Sequence, residues 1–255
     1  MPSESIRIAQ PGGPTLAATL ELPAGGLQGA ALFAHCFTCT RQSKAAVAVS
    51  RELSDRGIAC LRFDFRGLGD SEGDFGADSF PANVADVTAA TRWLIDRFGP
   101  GVLIIGHSLG GAAVLAAAGE IDAVAAVATI GAPASVEHVL HQVSGDVAAI
   151  ERDGEGTVLI GGRHFTISRA FLDHLRGVDL AEEVGALGRP LMLLHSPTDA
   201  LVGIDNAARL FAAAMHPKSF VSLAGADHLL LKQADADFAA AVIAAWAGRY
   251  LGRPD

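Results

Sequence analysis

Basic charge, cysteine and long apolar runs are all scarce in this 255-residue sequence, and each scarcity closes off a class of function. Nineteen Lys and Arg stand against 28 Asp and Glu, a formal net charge of −9. That balance favours solubility and disfavours nucleic acid or an anionic membrane as partner. No stretch approaches about 18 uninterrupted strongly apolar residues, so no membrane span is expected. The opening Met1-Pro2-Ser3-Glu4-Ser5 has neither the basic nor the apolar segment of a secretion signal. Three cysteines are an odd number and too few for a disulfide framework, so a reducing, cytoplasmic location is expected.

What is present is a chain half hydrophobic and long enough for a sizeable core, without repeats or low-complexity tracts. Alternation over residues 5–8 and 15–22, separated by Pro-Gly-Gly-Pro, predicts an N-terminal hairpin. Runs over 29–34, 58–63, 102–105, 124–130, 191–195 and 219–223 read as strands, most of them continuously apolar as in a parallel sheet buried on both faces. Helical segments are expected over 43–56, 79–98, 110–119, 207–215 and 235–251. This alternation implies an α/β fold with a mostly parallel, doubly wound sheet, whose chemistry lies just beyond the carboxyl ends of the strands.

One connection, from Ala132 to Arg189, is far longer than a simple crossover requires. Residues 157–160 and 163–167 flank Gly161-Gly162, a hairpin signal, and Ser168 is placed to cap a helix ending near Gly177. The expected division is a core in two parts, 1–133 and 189–255, with 134–188 inserted as a lid between the sixth and seventh strands. A decorative surface insertion is the plainer alternative.

Gly106-His107-Ser108-Leu109-Gly110 follows one of these strands and precedes a small-residue helix, the context a G-x-S-x-G nucleophile elbow needs. The turn around Ser108 is tight, so the flanking positions must lack side chains, and the following helix aims its N-terminal amides at developing negative charge. A serine hydroxyl needs a base. Of nine histidines, His228 is the one just past the last strand. The acid that orients it should follow the preceding strand, where Asp199 stands, with Asp205 and Asp227 as rivals; Asp227, adjacent to His228, is expected to face solvent. The order Ser108, Asp199, His228 matches the Ser…Asp…His order. Main-chain N–H groups of Leu109 and Phe37 are assigned to an oxyanion hole. Apolar Phe165, Val202 and Leu229 are assigned loosely to substrate binding.

Two further patterns invite rival readings. The stretch from Phe63 to Gly73 looks superficially like a phosphate loop but lacks the Gly-Lys-Ser/Thr ending; its glycines read as a tight turn pinned by Asp64 and Arg66. Cys36 and Cys39 form a C-x-x-C without the second pair that zinc requires. They read as packing or incidental thiols, with redox control of the oxyanion loop as the alternative.

Taken together, these motifs resemble the α/β-hydrolases over nearly the full length. More narrowly the chain resembles the esterase domain of bacterial proteins that fuse an α/β-hydrolase to an OsmC-like domain. That likeness rests on His35-Cys36-Phe37-Thr38-Cys39, Arg62 to Gly69, Gly106 to Gly111, Thr129 to Pro133, His195 to Asp199, and Gly225 to Leu230. It implies the triad Ser108, Asp199 and His228, hydrolysis of short-chain or aryl and cinnamoyl carboxylic esters, and no cofactor or metal. Its implied partners are a small-molecule ester and an OsmC-like domain in a longer parent; homodimerisation through faces of the insertion is a further arrangement, without a signature. Thioester or peptide hydrolysis by the same triad is the second reading, and a non-catalytic binding module the remote one.

Overall fold

The computed structural model describes residues 2–36, 39–74, 79–135, 147–160, 163–175 and 178–251. Its main sheet has eight strands: β1 (Ser3–Ile8), β2 (Leu16–Glu21), β3 (Gly29–Ala34), β4 (Ile58–Phe63), β5 (Val102–His107), β6 (Val124–Ile130), β9 (Leu191–His195) and β10 (Lys218–Ser222). A separate pair, β7 (Glu155–Ile160) and β8 (Arg163–Ser168), lies between β6 and β9 in sequence. The spatial order is β1-β2-β4-β3-β5-β6-β9-β10. β2 runs antiparallel to both of its neighbours, β1 and β4, and the other pairings in this sheet are parallel.

Strand residues alternate between two cores, as a period of two requires. Leu32, Leu61, Ile104, Val127 and Leu193 face α2 (Phe80–Phe98), α3 (Leu109–Ala118) and α7 (Asp205–Ala213). Phe33, Cys60, Ile105, Ala128 and Leu194 face α1 (Lys44–Asp55) and α8 (Gln233–Ala247). Both faces are therefore covered, which is why these strands read as continuous apolar runs rather than as alternating ones. Ser43 starts α1, its Oγ accepting the Ala46 N–H at 3.4 Å, while Pro81 occupies the first turn of α2, where a missing N–H is harmless.

Within the long connection, the expected strand pair and the helix start at Ser168 are present. β7 and β8 pair antiparallel, and Ser168 Oγ accepts the Phe171 N–H at 3.1 Å to start α5 (Arg169–Leu175). Gly161, Gly162, Arg176 and Gly177 lie outside the described residues. Two helices that sequence reasoning missed, α4 (Val147–Asp153) and α6 (Ala181–Ala186), flank this unit. Ile150, Val158, Ile167, Phe171 and Leu172 join the core on the α2 side. The two ends of the segment meet: Ser135 bridges Asp179, and the Leu180 N–H donates to the Ala134 carbonyl at 3.0 Å. Among the described residues no helix is long and apolar enough to cross a membrane.

Candidate active site

The loops leaving β3, β4, β5, β6, β9 and β10 converge at the carboxyl end of the sheet, and the site is built from them. Ser108 sits between β5 and α3 with φ 55° and ψ −121°, a conformation that costs a non-glycine residue about 1–3 kcal/mol. It is held there by its N–H, which donates to the Ile130 carbonyl at 2.8 Å, and by its carbonyl, which accepts the Ala112 N–H at 3.1 Å. The flanking glycines are forced by close approach. A Cβ on Gly106 would run into the Gly110 carbonyl, and one on Gly110 would strike the carbonyls of Ala34 and His35. The elbow thus lies tightly against the end of β3. As the first residue of α3, Leu109 has an N–H with no intrahelical partner.

His228, in the loop after β10, has Nε2 2.9 Å from Ser108 Oγ and Nδ1 2.7 Å from Asp199 Oδ2. The carboxylate can only accept, so Nδ1 carries the hydrogen and Nε2 presents its lone pair to the serine hydroxyl. Asp199 Oδ1 accepts the N–H groups of Leu201 and Val202, each at 2.9 Å. Burial alone would raise the Asp199 carboxyl, but the hydrogen bond and charge of His228, with those two amides, outweigh it and hold it below its ordinary value. The arrangement can pass a hydroxyl proton to an imidazole whose far side rests on an ionised carboxylate.

The rival carboxylates are elsewhere. Asp205 is exposed in the first turn of α7. Asp227, expected in solvent, is instead half-buried; its carboxylate accepts the N–H groups of Leu229 at 2.9 Å and Leu231 at 3.2 Å, shaping the loop that presents His228. Phe37 lies outside the described residues, as does the Phe165 side chain, although Phe165 itself is on β8 opposite Val158. Val202 is buried, and its main chain works on the acid loop, with its carbonyl accepting from His195 Nε2 at 2.8 Å. Leu229 is exposed beside His228, with exposed Leu201 and Leu231 on the same two loops.

Cys36 and Cys39 are not free thiols: they are joined as a disulfide at the end of β3. This corrects the reading of packing or incidental thiols, because the loop turns back on itself and the Cys39 N–H donates to the Cys36 carbonyl at 3.1 Å. Cys60 is the free cysteine, its thiol pushed up to about 12, chiefly by burial. The glycine-rich turn after β4 is pinned by the two residues expected. Asp64 accepts the Arg41 N–H at 2.6 Å and the Asp70 N–H at 3.0 Å and pairs with the Arg41 guanidinium, while Arg66 pairs with Asp86 of α2 at 2.7 Å. Among the described residues no three His, Cys, Asp or Glu gather where a metal could be held.

Several residues of the site were not singled out from sequence. His35 donates from Nδ1 to the Cys36 carbonyl at 2.8 Å and accepts the Phe65 N–H at Nε2, 3.3 Å away, joining the β3 and β4 loops. Burial, opposed by that hydrogen bond to Cys36, lowers its pKa. Ser196 Oγ donates to the Ala226 carbonyl at 2.7 Å and so ties the acid loop to the histidine loop. Gly131, with φ 56°, lies directly beneath His228 and Asp199; a Cβ there would be 3.3 Å from the imidazole. Its positive φ gave no periodic signal, and its contacts are far away in sequence.

The parallel sheet and the strained serine elbow define an α/β-hydrolase, and the sequence pattern of the Alpha/beta hydrolase family matches residues 29–241. The chain belongs to that family. It is similar, at 49% identity and TM-score 0.80, to the esterase domain of a Rhodothermus marinus protein, covering 99% of this chain and 100% of that one. Est1E from Butyrivibrio proteoclasticus, solved with ferulic acid bound, shares the fold at TM-score 0.84 and 20% identity, over 96% of this chain and 99% of that one. An uncharacterized protein of Mycobacterium tuberculosis is 27% identical over 210 residues, 80% of this chain and 64% of that protein. The chain therefore spans less than two thirds of the length of that curated relative.

Proposed function

We propose that this chain is a serine carboxylesterase that hydrolyses small carboxylic esters, short-chain or aryl and cinnamoyl, through an acyl-Ser108 intermediate. The observation that carries the reading is the unbroken relay from Asp199 through His228 to Ser108, with hydrogen bonds of 2.7 and 2.9 Å. The 49% identity to an esterase domain over nearly the whole chain supports the bond class.

In this reading Ser108 Oγ attacks the ester carbonyl as its proton moves to His228 Nε2, and the imidazolium formed is stabilised by Asp199. The tetrahedral oxyanion is held by the Leu109 N–H at the start of α3 and by the Phe37 N–H. Collapse expels the alcohol, which takes the proton from Nε2. Water, deprotonated by the same nitrogen, then attacks the acyl-serine and releases the acid. The exposed Leu201, Leu229 and Leu231 around the relay favour an apolar acyl or alcohol group. The segment 134–188 acts as the lid that selects it.

The test is a fluorophosphonate probe followed by mass spectrometry and a panel of acetyl, butyryl and cinnamoyl esters. The adduct is expected on Ser108, and both label and turnover are expected to disappear in Ser108→Ala and fall steeply in His228→Ala. Ester turnover surviving intact in a folded Ser108→Ala protein would refute the assignment.

A further inference from the structure

His107, between Gly106 and Ser108, takes no part in the proton relay, yet it touches the residue that does. Its ring is fully buried, 5.4 Å centroid to centroid from that of His228. Its Nε2 lies 2.7 Å from the main-chain carbonyl oxygen of His228, 121 positions away in sequence. A carbonyl only accepts, so Nε2 carries the hydrogen and donates. Among the described residues no main-chain N–H reaches that carbonyl.

We propose that His107 is the positioning residue of the general base, its Nε2–H fixing the main chain from which the His228 imidazole reaches Ser108 and Asp199. The inference rests on the relay reading above and deepens it. His228 sits in a loop and must meet two partners on two other loops, at 2.9 and 2.7 Å, in one orientation. Its side-chain nitrogens are spent on those partners, so the backbone needs an anchor of its own. His107 supplies it from the end of β5, the residue immediately before Ser108. One strand end thereby grips the base by its main chain and offers it the nucleophile, so the Oγ–Nε2 separation is set through a strand and not through three independent loops.

Two observations argue against a purely packing role. The other nitrogen, Nδ1, is buried without a partner among the described residues, a polar atom that an apolar side chain of similar size would not leave. Burial and the neighbouring His228 also push His107 down to about 3, so its ring stays neutral, keeps Nδ1 as an acceptor, and adds no charge against the imidazolium that forms on His228.

The test compares wild type with His107→Gln, which keeps a donor at similar reach, His107→Leu, which keeps volume without one, and His107→Asn, whose amide is too short. On the full chain, kcat and KM for p-nitrophenyl acetate, the rate of fluorophosphonate labelling and the low-field proton signal of His228 Nδ1–H are measured, with the melting temperature as the control. In His107→Leu, kcat and labelling rate are expected to fall on the order of 10- to 100-fold, as for a misplacement approaching 1 Å. KM should be nearly unchanged and the low-field signal shifted or lost. His107→Gln should recover most of the rate and the signal, and His107→Asn should not. If Leu fails to fold, the Gln and Asn pair decides. Wild-type kcat in folded Leu or Asn variants overturns the positioning role while leaving the serine-hydrolase reading intact; wild type that neither labels nor turns over esters overturns the reading on which it rests.

Discussion

Gly131→Ala adds one methyl group beneath the relay, and its consequences follow from two features of the structure. Gly131 has φ 56°, where an L-residue pays about 1–2 kcal/mol. For a chain of this size that predicts a melting temperature lower by roughly 2–8 °C, with the protein still folded at room temperature. The new Cβ would stand 3.3 Å from Cε1 and Nδ1 of His228 and 3.5 Å from Asp199 Oδ2. The two contacts to the imidazole are tighter than side chains ordinarily accept, so the ring must give way by a few tenths of an ångström. The relay has little slack, since its bonds are 2.7 and 2.9 Å long. If a misplacement of about 1 Å costs a factor near 10², a third to a half of that should lower kcat roughly 5- to 10-fold. KM should hold, because the methyl faces the base and not the substrate. The assay is p-nitrophenyl acetate hydrolysis at a temperature where circular dichroism shows both proteins folded. Wild-type kcat in folded Gly131→Ala would refute the claim that this glycine is required by the imidazole; a loss that merely tracks the unfolded fraction would refute it equally.

Two further outcomes concern stability. His107 is neutral in the fold down to about 3, against an ordinary value of 6.5, so below that value the unfolded chain binds the extra proton. Stability from this group is fully present above about pH 6.5 and is lost as pH falls toward 3, at up to about 1.4 kcal/mol per pH unit; His35 and His195, lowered chiefly by burial, act with the same sign. Denaturant unfolding between pH 7 and 4 should therefore be less pH-dependent in His107→Gln than in wild type, and parallel curves would contradict the assignment of a buried neutral ring. Reducing the Cys36–Cys39 disulfide with dithiothreitol should cost about 2 kcal/mol, since the loop it closes is short. A melting temperature insensitive to reductant, with thiol titration proving both cysteines free, would show that the bond contributes nothing.

The sequence was most legible where burial on both faces of the sheet wrote apolar runs into it. The strands Gly29–Ala34, Ile58–Phe63, Val124–Ile130 and Leu191–His195 have the bounds that composition predicts. That the side chains of Ser108, Asp199 and His228 meet was legible for a related reason: residues gathered at the carboxyl end of the sheet must follow strand ends, so chain order plus strand position left few candidates. What was not legible depends on contacts between distant segments. Nothing about C-x-x-C distinguishes free thiols from a disulfide until the turn that brings Cys39 back onto Cys36 is known. The contacts of His107 and His195 were not legible because their partners, the carbonyls of His228 and Val202, are main-chain atoms that carry no sequence signature. Asp227 looked like a solvated neighbour because its partners are amides created by the loop it shapes.

The meeting of Ser135 with Asp179 and of Ala134 with Leu180 has a consequence for how such a protein can change. The segment's two ends are adjacent stems, and Ile150, Val158, Ile167, Phe171 and Leu172 between them pack into the core on the α2 side. The entropy of closing such an excursion grows only slowly, by about 0.6 kcal/mol for each doubling of its length. A segment of different length grafted between the same stems would keep the strand register and the serine elbow only if it also refilled the core that those five side chains occupy. With 134–188 as the lid proposed above, the relay residues and the stretch proposed to choose substrate lie in different parts of the chain, joined by a shared core.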